Sequence, residues 1–143
     1  HYPLRRQRQM CIRDSDRIIC PLKEQFPEGA AFYTTLLHEM SHSTGHPNRL
    51  GRLKESSYGD ADYAREELVA ELTAALCGAM LDFATTPREE NAAYLNGWLE
   101  ELQKEPTYLF DILTDVNRAV RMISERLEDA APMIEDAASA EAA

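Results

Sequence analysis

Apolar positions recur at steps of three and four in several stretches of the chain, the spacing of residues that share one helix face. Between residues 30 and 44, Phe32, Tyr33, Leu36, Leu37 and Met40 project onto one broad face, while Ala31, Thr35, His38 and His42 fall on the opposite one. This predicts a helix from about Ala30 to Thr44, ended by Gly45 in a left-handed C′ conformation and by Pro47. A second helix is expected to start between Asp60 and Tyr63 behind an aspartate N-cap and to run to about Asp82, with Leu68, Val69, Leu72, Leu76 and Met80 on its apolar face. Thr86, Pro87 and Glu89 read as the N-cap, N1 and N3 positions of a capping box that opens a third helix, through Trp98 to about Gln103. Trp98 and Leu99 read as core. A fourth helix is expected from Pro106, carrying the stripe Leu109, Ile112, Leu113, Val116, Val120, Ile123 and Leu127. Ahead of all four, Arg17, Ile18, Ile19 and Cys20 before Pro21 read as a short strand at a sheet edge.

The expected fold is thus mainly α, with about four helices and one short edge strand. Residues 15–128 form its single domain. Residues 1–14 lack any period and are read as a disordered or non-native leader, and residues 129–143 as a disordered acidic, alanine-rich tail. With 143 residues, 44% of them apolar, the chain can bury a core of its own.

Charge narrows the possible partners. A formal net charge of −10 excludes autonomous nucleic-acid binding, which relies on Lys and Arg to neutralise phosphates. Cys11, Cys20 and Cys77 are odd in number and form no C-x-x-C pair, so neither a disulfide framework nor a cysteine metal site is signalled. The most apolar stretch, residues 68–84, is interrupted by Glu71 and Asp82, which argues for a buried helix and against a membrane span. No apolar segment follows the basic residues Arg5, Arg6 and Arg8, so no secretory signal is read and a cytoplasmic location is expected.

The chemistry is concentrated in His38-Glu39-Met40-Ser41-His42, an H-E-x-x-H match. A step of four residues stacks two imidazoles on one helical face, within reach of one zinc ion. Glu39 sits about 100° round the helix from His38, placed to act as a general base beside the metal. For a third ligand the metzincin continuation fails: Gly45 is in register, but Asn48 stands where a histidine is required. The gluzincin form, a glutamate on a following helix with an acidic residue four positions later, is met by Glu67 and Glu71. Glu67 is therefore read as the third ligand and Glu71 as the partner of a ligand histidine. Ala70 and Ala74 on the same face allow a close helix crossing. The ordinary alternative is that Glu66, Glu67 and Glu71 form a solvated charged face. His46 and Arg49 are candidate cleft residues, the first as a proton donor and the second as an anchor for a substrate carboxylate. Tyr58, Tyr63 and Tyr94 are candidates for stabilising an oxyanion.

The segments DRIICP, AFYTTLLHEMSHSTGHPNRL, YAREELVAEL and NAAYLNGWLEEL follow one another from about Asp16 onward. In that order and spacing they resemble the zincin-like metallopeptidase domain of ArdC-type antirestriction proteins and related phage and plasmid polyvalent proteins. The resemblance implies an α+β zincin-like fold with the H-E-x-x-H helix crossing the E-x-x-x-E helix. It also implies a metal site at His38, His42 and Glu67, and an origin in a mobile element. Ser43 departs from the family, which usually has tryptophan after the second histidine. Family members generally carry a single-stranded-DNA-binding domain upstream, to which nothing in this chain corresponds. Two functions follow as expectations. One is a zinc-dependent peptidase acting on a peptide or protein. The other is a metal-stabilised module that inhibits a host defence protein by contact alone.

Overall fold

The computed structural model describes residues 16–54, 60–82, 98–100 and 102–141, with side chains described as far as residue 132. After a 3₁₀ turn at Lys23–Gln25, three long helices follow: α1 (Gly29–Thr44), α2 (Ala61–Met80) and α3 (Tyr108–Glu141). Residues 98–100 and 102–104 are also helical and belong to the expected third helix, whose capping box at Thr86–Glu89 lies outside the described residues. Among the described residues there is no strand. Arg17, Ile18 and Ile19 are exposed, and the strand expected there does not form because no second described segment pairs with their backbone.

The core lies where the three helices meet. Leu37 of α1, Ala74 and Cys77 of α2 and Ile123 of α3 pack together, with Met40 and Val120 against them. Val69 with Ile112 and Val116 extends this contact along α2 and α3, and Tyr63 with Trp98 closes the other end. Trp98 also donates from Nε1 to the carbonyl of Ala64 at 2.6 Å. Leu99 is 54% exposed, so only the tryptophan of that pair is core. The buried stripe of α3, Ile112, Val116, Ala119 and Ile123, is narrower than the apolar one, and Leu109, Leu113 and Leu127 remain exposed at its margins. An ion pair from Arg65 to Asp115, 2.7 Å, flanks the α2–α3 contact. Past residue 129 the backbone of α3 continues as helix to Glu141 with Pro132 inside it. The high helix propensity of its alanines favours that continuation without an apolar face to pack.

Helix α1 inverts the usual burial. Its buried residues are Thr34, Leu37, His38, Glu39, Ser41, His42 and Thr44, six of them polar, while Tyr33 on the apolar face is 42% exposed. The polar face of α1 is the one turned to α2, and this is the feature that builds the site.

The end of α1 also differs from expectation. Gly45 has φ −78°, an ordinary right-handed conformation, and the left-handed glycine of this turn is Gly51 at φ +64°. Close approach explains Gly45 instead. A Cβ at this position would lie 2.9 Å from Leu53 Cγ, 3.1 Å from Arg52 Cγ and 3.2 Å from the carbonyl of His42. The returning chain is drawn in by hydrogen bonds from Leu50 N to the Thr44 carbonyl and from Leu53 N to the Gly45 carbonyl. Gly45→Ala is expected to destabilise the fold by about 1–3 kcal/mol, as overpacking does. This outweighs the roughly 0.4–1 kcal/mol that alanine gains by restricting the unfolded chain. The shift in urea midpoint at unchanged m-value measures it.

Candidate metal centre

One helical turn separates His38 from His42, and their Nε2 atoms lie 3.1 Å apart, with the rings edge to face. Glu67 on α2 completes a triangle: its Oε2 is 3.7 Å from His38 Nε2 and its Oε1 is 3.5 Å from His42 Nε2. All three residues are buried, and each offers a donor atom within 4.8 Å of the other two. The donors of four-coordinate zinc, with bonds of about 2.0–2.1 Å, stand about 3.3–3.4 Å from one another, which the observed separations bracket.

A carboxylate stands on the far side of each imidazole. Glu71 Oε1 lies 3.1 Å from His38 Nδ1, and Glu66 Oε1 lies 3.0 Å from His42 Nδ1. An ionised carboxylate only accepts, so His42 donates through Nδ1–H to Glu66, which leaves its Nε2 facing His38 Nε2 and Glu67. Two imidazole nitrogens 3.1 Å apart call for a proton or a cation between them. The donor set therefore fits a divalent metal.

Glu66 is the functional residue that sequence reasoning missed, together with Arg52. The Arg52 guanidinium grips the Glu66 carboxylate at both oxygens, Nε to Oε2 at 2.9 Å and Nη2 to Oε1 at 3.0 Å. It also donates to Thr44 Oγ1 at 2.7 Å and to the Ser41 carbonyl at 2.6 Å. The signal available was a pair of adjacent glutamates at the start of a buried helix, one more carboxylate than a third ligand requires.

The remaining candidates sit as follows. Glu39 is buried beside His38, 4% exposed, and is not part of the donor triangle. His46 accepts a hydrogen bond from Asn48 N at its Nδ1, 3.1 Å, and so pins the turn after α1. Arg49 donates to the Ser43 carbonyl at 2.6 Å and forms a two-pronged pair with Asp16, an arrangement that commits its guanidinium locally. Tyr63 lies one turn before Glu67, packed with Trp98. Tyr58 and Tyr94 lie outside the described residues.

Burial alone would lower the pKa of His42, but the hydrogen bonds and negative charges of Glu66 and Glu67 outweigh it and raise it from 6.5 to about 10. A group whose folded pKa is raised contributes stability that is complete below its unfolded value and lost as pH climbs through the folded one. The melting temperature of chelator-stripped protein is therefore expected to fall between about pH 7 and pH 10. A metal must displace this proton, so apparent metal affinity is expected to rise across the same window. Thermal scans and metal titrations over that range check both directions.

Comparison with known proteins agrees with this geometry. Residues 4–114 match the zincin-like metallopeptidase family. The chain is 38% identical over 104 residues to the DNA primase TraC of Escherichia coli, covering 73% of this chain and 10% of that one. It is 30% identical over 116 residues to the uncharacterised protein y4eC of Sinorhizobium fredii, covering 81% of this chain and 38% of the other. The crystal structure of the antirestriction protein ArdC from plasmid R388, in a Mn(II)-bound form, superposes with a TM-score of 0.72 at 33% identity over 78% of this chain and 41% of ArdC. The chain thus spans less than half the length of each of these relatives. A family match over most of the sequence, joined to a His–His–Glu triangle on two crossing helices, shows that the chain belongs to the zincin-like metallopeptidase family as a domain of the ArdC type.

Proposed function

We propose that this domain is a zinc-dependent peptidase of the gluzincin type, encoded by a mobile element and serving antirestriction. The observation that carries the reading is Glu39, a buried carboxylate that follows His38 on the same helix and is not one of the triangle's donors. His38, His42 and Glu67 would hold the ion, while Glu66 accepts from His42 Nδ1 and Glu71 lies 3.1 Å from His38 Nδ1. Two nitrogen donors and one carboxylate favour zinc over harder ions that prefer oxygen alone, although the ArdC relative is described as Mn(II)-bound. Bound zinc would polarise a peptide carbonyl and acidify a water molecule. The Glu39 carboxylate accepts the proton of the attacking water and returns it to the leaving amine. The substrate is a peptide or protein. DNA is not among the partners proposed for this domain, in keeping with its charge of −10. No helix of the described residues is long and apolar enough to cross a membrane, and a cytoplasmic site of action accords with that.

A second reading has its own observation. His38, Glu39, His42 and Glu67 are each less than 5% exposed, which suits a metal clip inside a module that blocks a host defence protein by contact. Glu39→Gln separates the two readings. Loss of proteolysis with zinc retained supports the peptidase, and undiminished antirestriction without any proteolysis supports the module.

A further inference from the structure

The turn after α1 carries a buried cation that none of the metal donors touches. Arg52 is 5% exposed at its side chain, and all four of its hydrogen bonds go to groups that surround His42 without including it. Two reach Glu66, the carboxylate that accepts from His42 Nδ1. The other two reach the Ser41 carbonyl and Thr44 Oγ1, on either side of His42 in the last turn of α1. Thr44 Oγ1 in turn donates to the Ser41 carbonyl at 2.6 Å. A planar guanidinium presents its donors in a fixed fork, so gripping both oxygens fixes the plane of the Glu66 carboxylate as well as its position.

We infer that Arg52 is a positioning residue of the metal centre: it orients Glu66, Glu66 orients the His42 ring, and the loop between α1 and α2 thereby becomes part of the site. The arrangement is asymmetric. Glu71, 3.1 Å from His38 Nδ1, has a side chain 14% exposed, whereas the Glu66 carboxylate behind His42 is clamped by Arg52 and 8% exposed. Gly45 belongs to the same device, since its missing side chain leaves room for the Arg52 stem. The inference rests on His42 being a metal ligand and is independent of what the site catalyses.

The test compares the parent chain with Arg52→Met, Arg52→Lys, Glu66→Gln and the double variant Arg52→Met/Glu66→Gln. Zinc affinity is measured by competition with a chromogenic chelator, and coordination by the visible spectrum of the cobalt-substituted protein. Removing an outer partner of a ligand histidine weakens metal binding by about 10–100-fold, and that loss is expected for Arg52→Met and for Glu66→Gln. Because both act along one path, the double variant should lose little more than the worse single one. Arg52→Lys, which keeps the charge but not the fork, should fall between parent and Arg52→Met, with a shifted cobalt spectrum. In metal-free protein the Nδ1–H resonance of His42 should be protected from exchange in the parent and exposed in Arg52→Met. Lower thermal stability with unchanged zinc affinity, or single losses that simply add, would show that Arg52 only caps the helix and overturns the inference. If Arg52→Met does not fold, Arg52→Lys decides: parental zinc affinity and an unaltered cobalt spectrum overturn the inference. The metal-free resonance also separates the two claims, since a chain that binds no zinc can still show whether Arg52 fixes His42.

Discussion

Glu39→Gln is expected to keep zinc and fold while lowering peptide hydrolysis by about 10²–10⁴-fold, the usual contribution of a positioned general base. The amide nearly matches the carboxylate in shape and can hydrogen-bond a water molecule, but it cannot take a proton from it. Because Glu39 lies outside the donor triangle, metal content should be unchanged, and elemental analysis of the purified variant checks this directly. The assay first needs a protein that the parent cleaves and that a chelator protects, and a product of the same mobile element is the natural choice. Parental activity in a zinc-loaded Glu39→Gln variant would rule out the mechanism proposed above.

His42→Ala should have the largest effect on the metal itself. It removes one of three donors and leaves the Glu66 carboxylate with Arg52 as its sole partner among those described. The remaining His38 and Glu67 make a two-donor site, and stoichiometric zinc should fall to near zero after dialysis. Retention of one zinc per chain would remove His42 from the donor set. The comparison with Glu39→Gln is informative because the two residues share a helix and similar burial, yet one variant should lose the metal and the other only the chemistry.

What could be read from the chain divides by physical cause. The two histidines, Glu67 and Glu71 were legible because helical spacing alone fixes which residues share a face, and the structure brings all four together. Helix bounds were legible within a residue or two where apolar periods and an N-cap coincide, as at Asp60 before Ala61–Met80. Glu66 and Arg52 were not. A carboxylate one position from a ligand lies about 100° away round the helix, and only the crossing angle decides whether it meets an imidazole or water. An arginine in a loop carries no period at all, so its partners follow from how the turn folds back. The inverted burial of α1 was hidden for a related reason: a polar face becomes the inner one only when another polar face, here that of α2, is there to meet it. The strand before Pro21 depended on a pairing partner beyond the described segments, which no local pattern can supply.

Among the described residues, His38, His42 and Glu67, with Glu66, Glu71 and Arg52 around them, all fall between His38 and Glu71, on two helices joined by one loop. Bringing them together requires closing that one loop, whose entropic cost grows only slowly with its length. A contiguous stretch inserted into a longer protein would carry all six of these side chains with it. That would suit a domain shared with proteins of which it makes up a tenth in one case and about two fifths in another.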